Sequence, residues 1–274
     1  MAEIVWAACA SHTGAMIRYR ADAEQQEDLA GIYTAWEQLR TSLAAARPDV
    51  LVVFGSDHFH SHSYDLMPIF AIGRGDSFRT FGEFGTRQIG IAGHADLSDL
   101  LHEGLVSGGF DVAGSVEMRL DHAWACPLEF LDPDNNLRIV PIAINGFIPP
   151  MASMRRCLDL GERLGALLEE QEHAQRVAVL GTGGISHWIG MPETGRIGEE
   201  FDRRVLDLVA SGSLDELADL NDTAIVAGGG PGAGELRCWM AVLGATKASA
   251  ARPLAYAPAP RLMTGIALVE VATG

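Results

Sequence analysis

Residues 50–60 read VLVVFGSDHFH. Five apolar residues, most of them β-branched or aromatic, are followed at once by glycine, serine, aspartate and two histidines. A short continuous apolar run that ends at a glycine is the pattern of a strand buried on both faces, as in a parallel sheet covered by helices. The same pattern occurs twice more. Ile4–Ala10 runs into Ser11 and His12, and Arg176–Leu180 runs into GTGGISH, residues 181–187. In open α/β sheets, ligands collect at strand ends, where loops carry the polar side chains. If these three strands are parallel neighbours, His12, His58 and His187 converge at one edge of the sheet. One histidine after a strand is ordinarily a structural hydrogen-bonder. Three after three strands weigh against coincidence, but they do not separate a metal site from an acid–base site.

Working outward, Leu29, Ile32, Trp36, Leu39 and Leu43 recur at helical spacing and predict a helix over Glu24–Ala46, which stops before Pro48. Further strands are expected at Leu66–Ile72, Leu137–Ile144 and Leu262–Val271. Further helices are expected at Met151–Glu170, Ile197–Ala210 and Leu236–Leu243. This alternation predicts an α/β fold, a three-layer sandwich with a central mainly parallel or mixed sheet and helices on both faces. No linker divides the chain, so residues 1–274 are read as a single domain.

The formal net charge of −16 disfavours nucleic acid and anionic membrane surfaces as partners. No apolar run reaches the ~18 residues of a membrane span, and the N-terminus lacks the pattern of a signal peptide. Cys9, Cys126, Cys157 and Cys238 are widely spaced and read as free thiols in a reducing compartment, so a cytoplasmic location is expected.

Three polar segments remain open on residue types alone. In DHFHSH, residues 57–62, histidines at i, i+2 and i+4 would share one strand face; all three could bind one metal, or only one could. Asp57 beside His58 could orient an imidazole. GGGPGAG, residues 228–234, lacks the Lys-Ser/Thr ending of a phosphate loop, and the following Glu235 reads by itself more readily as a helix cap than as a ligand. Asp121-His122 precedes an apolar stretch that includes Pro127–Phe130, consistent with an ordinary helix start capped by Asp121.

Taken together, Ser11-His12, SDHFHSHSYDLMPIFAIG (56–73), LDHAWACPLEFL (120–131), PIAINGFIPP (141–150), GTGGISHW (181–188) and GAGELRCWM (232–240) resemble the class III extradiol ring-cleavage dioxygenases. That family includes enzymes acting on 2,3-dihydroxyphenylpropionate and on protocatechuate. The resemblance spans nearly the whole chain, with the motifs in order. It implies Fe(2+) held by His12, His58 and Glu235, with His187 as acid–base catalyst and His122 as a second acid. It also implies a catecholic or aminophenol substrate and O2, with ring expansion to a lactone and hydrolysis to a ring-opened semialdehyde. His60 is a candidate pocket residue and His62 a structural or solvated one. His94, His102 and His173 are expected at the surface, and Trp239 and Met240 in the core. A homo-oligomer is expected, with a separate small α subunit as an open alternative. The chain is short between Trp188 and Arg196, and the motifs leave the ring substituent undetermined. Two other readings compete: a metal-dependent hydrolase using zinc on a similar fold, and a non-catalytic binding relative.

Overall fold

The computed structural model describes residues 2–24 and 27–273. The strands, in chain order, are β1 (Glu3–Ala10), β2 (Val50–Gly55), β3 (Phe70–Gly73), β4 (Ser77–Thr80), β5 (Gly90–Ala92), β6 (Val112–Ser115), β7 (Arg119–Leu120), β8 (Arg138–Ile144), β9 (Arg176–Thr182), β10 (Ala251–Ala259) and β11 (Thr264–Val271). The helices are α1 (Gly14–Arg18), α2 (Arg20–Glu24), α3 (Glu27–Ala46), α4 (Ala95–Ser107), α5 (His122–Leu131), α6 (Met154–Glu170), α7 (Glu199–Ser211), α8 (Leu214–Ala218), α9 (Asp222–Gly229) and α10 (Leu236–Ala245).

Eight strands form one mixed sheet in the order β10-β11-β1-β9-β2-β8-β3-β6. Its centre, β1-β9-β2-β8, is parallel; β11 runs antiparallel to β1, and β3 antiparallel to β8. The central strands are apolar on both faces because each face meets helices. Along β2, Val50, Val52 and Phe54 join the core under α4, α6 and α10, while Leu51 and Val53 join the core under α3 and α5. β9 alternates likewise, with Val177 and Val179 on the first side and Ala178 and Leu180 on the second. This is the three-layer sandwich expected from the alternation of elements. β10 holds Pro253 and Pro258 on an edge strand, where a missing N–H is tolerated.

Some boundaries differ from expectation. The strand predicted over Leu66–Ile72 begins only at Phe70; Leu66 is 76 % exposed, and Pro68 has no N–H to offer a ladder. The last strand starts at Thr264, because residues 260–262 form a 3-10 turn and Met263 turns left-handed at φ 62°. The α6 helix starts at Met154, where the Ser153 side chain accepts from the Arg156 N–H. The helix predicted over Glu24–Ala46 is found as α3, with residues 25–26 outside the described set. A three-stranded sheet, β5-β4-β7, was not anticipated. Its strands have only two to four residues, too few for periodicity to register. Trp239 and Met240 are fully buried core residues, as expected. His173 is exposed, whereas His94 and His102 are partly buried, and His102 Nε2 lies 2.8 Å from the Val112 carbonyl oxygen. Among the described residues, no helix is long and apolar enough to cross a membrane.

Candidate active site

β9 lies between β1 and β2, and all three run in the same direction. Their C-terminal ends therefore open on one edge of the sheet, and the loops that leave them bring His12, His58 and His187 together. A fourth histidine, His122, enters from the first residue of α5. The rings of His12 and His58 lie 5.4 Å apart centre to centre, those of His12 and His122 5.4 Å, and those of His58 and His122 4.1 Å.

Glu235 arrives from the opposite side of β9. The glycine-rich segment is not a plain loop. Residues 228 and 229 end α9, Gly230 turns at φ 80°, and Pro231–Glu235 form a 3-10 turn that leads into α10. Glu235 stands at the N-cap position of α10, yet its side chain caps nothing. Its carboxylate turns into the site instead. Oε1 lies 3.4 Å from Nε2 of both His12 and His58, and Oε2 lies 3.7 Å from His187 Nε2. Oε2 also accepts the Gly184 N–H at 2.8 Å.

Glycines make this approach feasible. Gly183 adopts φ 140°, and a Cβ there would fall 2.6 Å from the Glu235 Cβ. At Gly232, a Cβ would fall 2.0 Å from His187 Nε2. Main-chain bonds join the same two segments: the His187 N–H donates to the Gly229 carbonyl, and the Gly232 N–H to the His187 carbonyl. Behind the turn, the buried Arg237 guanidinium donates to the Ala152 and Gly234 carbonyls and to Asp222, which fixes the backbone that presents Glu235.

The imidazoles are held by carboxylates. Asp121, fully buried, accepts the Ala123 N–H through Oδ1, so it is the helix cap expected of it. Through Oδ2 it also accepts the His58 main-chain N–H at 2.6 Å and faces His58 Nδ1 at 3.1 Å. The orienting role considered for Asp57 therefore belongs to Asp121. Asp57 instead accepts the main-chain N–H groups of His60, Ser61 and His62, which staples the loop. That loop is not a strand. Phe59 turns it at φ 64°, so His58, His60 and His62 do not share a strand face. His60 Nε2 faces Glu83 at 2.9 Å, with its ring against Phe81. Glu83 also accepts from His122, through both the main-chain N–H and Nδ1, at 2.7 Å each.

Electrostatics follow from burial and these contacts. Burial pushes His12 down to about 3, with the neighbouring His58 and His122 acting in the same sense against Glu235. Burial also disfavours charge on His58, but Asp121 and then Glu235 outweigh it and raise the group to about 10. Burial alone would raise Glu235, whereas His12 and His58 draw it down to about 2. His187 is lowered, chiefly by burial.

The donor set fits a metal ion. Glu235 Oε1 and His12 Nδ1 are buried without a hydrogen-bond partner among the described residues, and an orphaned buried carboxylate oxygen is costly unless something binds it. Donors bound at right angles at about 2.1 Å lie about 3 Å apart, close to the 3.4 Å from Glu235 Oε1 to each imidazole. The ring nitrogens of His12, His58 and His122 also lie within 4.8 Å of one another. A second close group is His60, Glu83 and Asp121.

A parallel-sheet edge that gathers His12, His58 and His187 around the buried Glu235 carboxylate, with His122 against the first two rings, is a polar site of the kind α/β enzymes build at their strand ends. Residues 6–265 match the family described as the catalytic LigB subunit of aromatic ring-opening dioxygenase; the chain belongs to that family and is an extradiol ring-cleaving dioxygenase. It is 34 % identical to a 2,3-dihydroxyphenylpropionate/2,3-dihydroxicinnamic acid 1,2-dioxygenase of Paraburkholderia xenovorans, covering 76 % of this chain and 79 % of that one. An enzyme of the same name from Photorhabdus laumondii is 27 % identical over 96 % of this chain and 95 % of its own. The crystal structure of an uncharacterized protein from Escherichia coli K12 shares the fold, with a TM-score of 0.63 at 18 % identity over 97 % of this chain and 99 % of that chain.

Sequence reasoning did not find Glu83, Arg237 or the role of Asp121 toward His58. For Glu83 the only local signal was its place between Gly82 and Gly85 in a tight turn, which marks a loop and not a partner.

Proposed function

We propose that the chain opens the ring of a side-chain-bearing catechol, of the type named for its relatives, with O2 and one ferrous ion held by His12, His58 and Glu235. One observation carries this: the buried, unpartnered Oε1 of Glu235 stands equally far from Nε2 of His12 and of His58. Two imidazoles and a carboxylate on one side of an ion are the donor set of non-haem Fe(II) oxygenases, which leaves positions for small molecules. Bound there, ferrous iron would supply the spin and redox chemistry that lets a closed-shell ring react with O2.

The chain's own residues then orient substrate and move protons. Burial disfavours the charged form of His187, whose Nε2 faces Glu235 in the site and is placed to take a hydroxyl proton. His122 Nδ1 is engaged by Glu83, so Nε2 is the nitrogen free to exchange a proton in the cluster. The Phe147 ring, 5.0 Å from His58, and the Phe84 ring, 5.0 Å from His122, offer aromatic surface beside these groups. His60 is engaged with Glu83 and is not a substrate contact in this reading. We read residues 1–274 as one catalytic domain, working in the cytoplasm as a homo-oligomer; a separate α subunit is the alternative, and size measurement in solution distinguishes them.

The closeness of His122 to His12 and His58 supports a second ligand set, three histidines without Glu235. Anaerobic Fe(II) reconstitution decides between the two. The first reading expects about one iron per chain, O2 uptake with 2,3-dihydroxyphenylpropionate, loss of iron in Glu235→Ala and retained iron in His122→Ala. Retained iron in Glu235→Ala with loss in His122→Ala would reverse the assignment. Turnover of the metal-free protein under argon would remove the dioxygenase reading of this site. His187→Ala should keep iron and lose ~100-fold or more in turnover.

A further inference from the structure

Glu83 lies on the turn between β4 and β5, 39 residues before His122, and no motif connects them. Its carboxylate nevertheless spans two histidines. Oε1 accepts both the His122 main-chain N–H and its Nδ1–H at 2.7 Å, and Oε2 faces His60 Nε2 at 2.9 Å. The far side of His60 is also occupied, since its Nδ1 lies 2.9 Å from the His58 carbonyl oxygen and its ring packs against Phe81 at 4.3 Å. The turn itself is closed by the Thr86 N–H and hydroxyl, which both donate to the Glu83 carbonyl. The carboxylate is thus fixed at its backbone, at each oxygen, and through His60 to the loop that carries His58.

We propose that Glu83 is the positioning residue of the ring-opening reaction: by binding Nδ1–H it sets the rotamer and tautomer of His122, leaving an unprotonated Nε2 aimed at the histidine cluster, and His60 serves to hold Glu83. The physical reason is that a carboxylate accepts only, so the nitrogen facing it must carry hydrogen. Free histidine prefers the other tautomer, with hydrogen on Nε2, which would leave Nδ1 facing the Glu83 carboxylate without a hydrogen to give it. Two bonds from one oxygen to the main chain and ring of the same residue also remove the freedom to flip that ring. In the close group of His60, Glu83 and Asp121, Glu83 is engaged by His122 and Asp121 by His58 and the start of α5. The part of it that concerns turnover rests on the functional reading of His122 given above.

The test combines spectroscopy and kinetics on the full chain. In metal-free protein with 15N-labelled histidine, the His122 ring signals are assigned by their loss in His122→Asn. Wild type should show hydrogen on Nδ1; Glu83→Ala should shift His122 toward the Nε2–H form. In protein reconstituted with Fe(II), Glu83→Ala should lower kcat about 10- to 100-fold at little change in KM. Glu83→Gln, whose amide oxygen still accepts from Nδ1–H, should recover most of that loss. His60→Ala should fall between the two. An unchanged His122 tautomer in Glu83→Ala would overturn the proposal whatever the kinetics, as would equal losses in Glu83→Gln and Glu83→Ala. Full turnover in His122→Asn is a separate failure: it would remove His122 from the reaction, and the ring signals alone would then report on Glu83.

Discussion

Replacing Asp121 by asparagine separates two tasks that one carboxylate performs. Oδ1 caps α5 by accepting the Ala123 N–H at 2.8 Å, while Oδ2 accepts the His58 main-chain N–H at 2.6 Å and faces His58 Nδ1 at 3.1 Å. Every group facing the carboxylate in these bonds donates, and the residue is fully buried. An amide has one accepting oxygen and one donating nitrogen of nearly the same shape. Whichever way it turns, its NH2 meets an N–H. If the oxygen stays on Ala123, the His58 side loses charge-assisted bonds worth about 1.5–3 kcal/mol and keeps a buried unsatisfied donor that costs about 1–3 kcal/mol. If it flips, the cap is lost instead, at about 1 kcal/mol, together with the charge beside His58. The net expectation is about 3–5 kcal/mol, the range for breaking one side of a buried charged pair. In a chain of this size that corresponds to a melting temperature lower by roughly 10 °C.

The sign with pH is also determined. Burial opposes the ionised form of Asp121, but His58 outweighs it and holds the carboxyl well below its usual range. A carboxyl depressed in the folded state contributes stability above its unfolded pKa of about 3.9 and loses it as pH falls further. The deficit of Asp121→Asn relative to wild type should therefore be full at pH 7 and shrink on the acid side. Thermal melting of the metal-free protein, followed by circular dichroism from pH 3 to 7, measures this. A variant that melts within about 2 °C of wild type at pH 7 would refute the reasoning, because no placement of the amide satisfies both sides.

Two further outcomes follow from particular contacts. Gly232→Ala would put a Cβ 2.0 Å from His187 Nε2, so the ring must swing out of the site; iron content should hold while turnover drops ~100-fold, and a fully active variant would show that the ring is not needed there. Asp202, buried and bonded through Oδ2 to the Ser186 and Tyr256 hydroxyls, is raised to about 6 because burial outweighs those bonds. A carboxyl raised in the folded state favours folding most below its unfolded pKa of about 4. That contribution, up to about 3 kcal/mol, is lost as pH rises to about 6. Urea midpoints at pH 4 and 7 should differ less in Asp202→Asn than in wild type; an identical pH dependence would dismiss the assignment.

Local pattern and chain chemistry were enough for the architecture and for most of the candidate centre. VLVVF, IVWAACA and RVAVL are apolar on both faces because both faces meet helices, and that is visible in composition without coordinates. The polar residues that follow each strand announced His12, His58 and His187 because strand ends are where an α/β sheet exposes its loops. Strand order lay beyond reach, since hydrogen-bonded neighbours are chosen by packing over long separations. Only the insertion of β9 between β1 and β2 turns three separate exits into one site. The carboxylates divide in the same way. Asp57 and Asp121 each sit beside a histidine in sequence, and adjacency pointed to Asp57, whereas folding assigns His58 to Asp121 and leaves Asp57 to staple a loop. Glu83 stood in a short turn with nothing in its neighbours to single it out, and Glu235 read more readily as a cap. Which acid faces which imidazole is a matter of distance and direction across 39 to 223 residues of chain, and burial then makes each such contact strong.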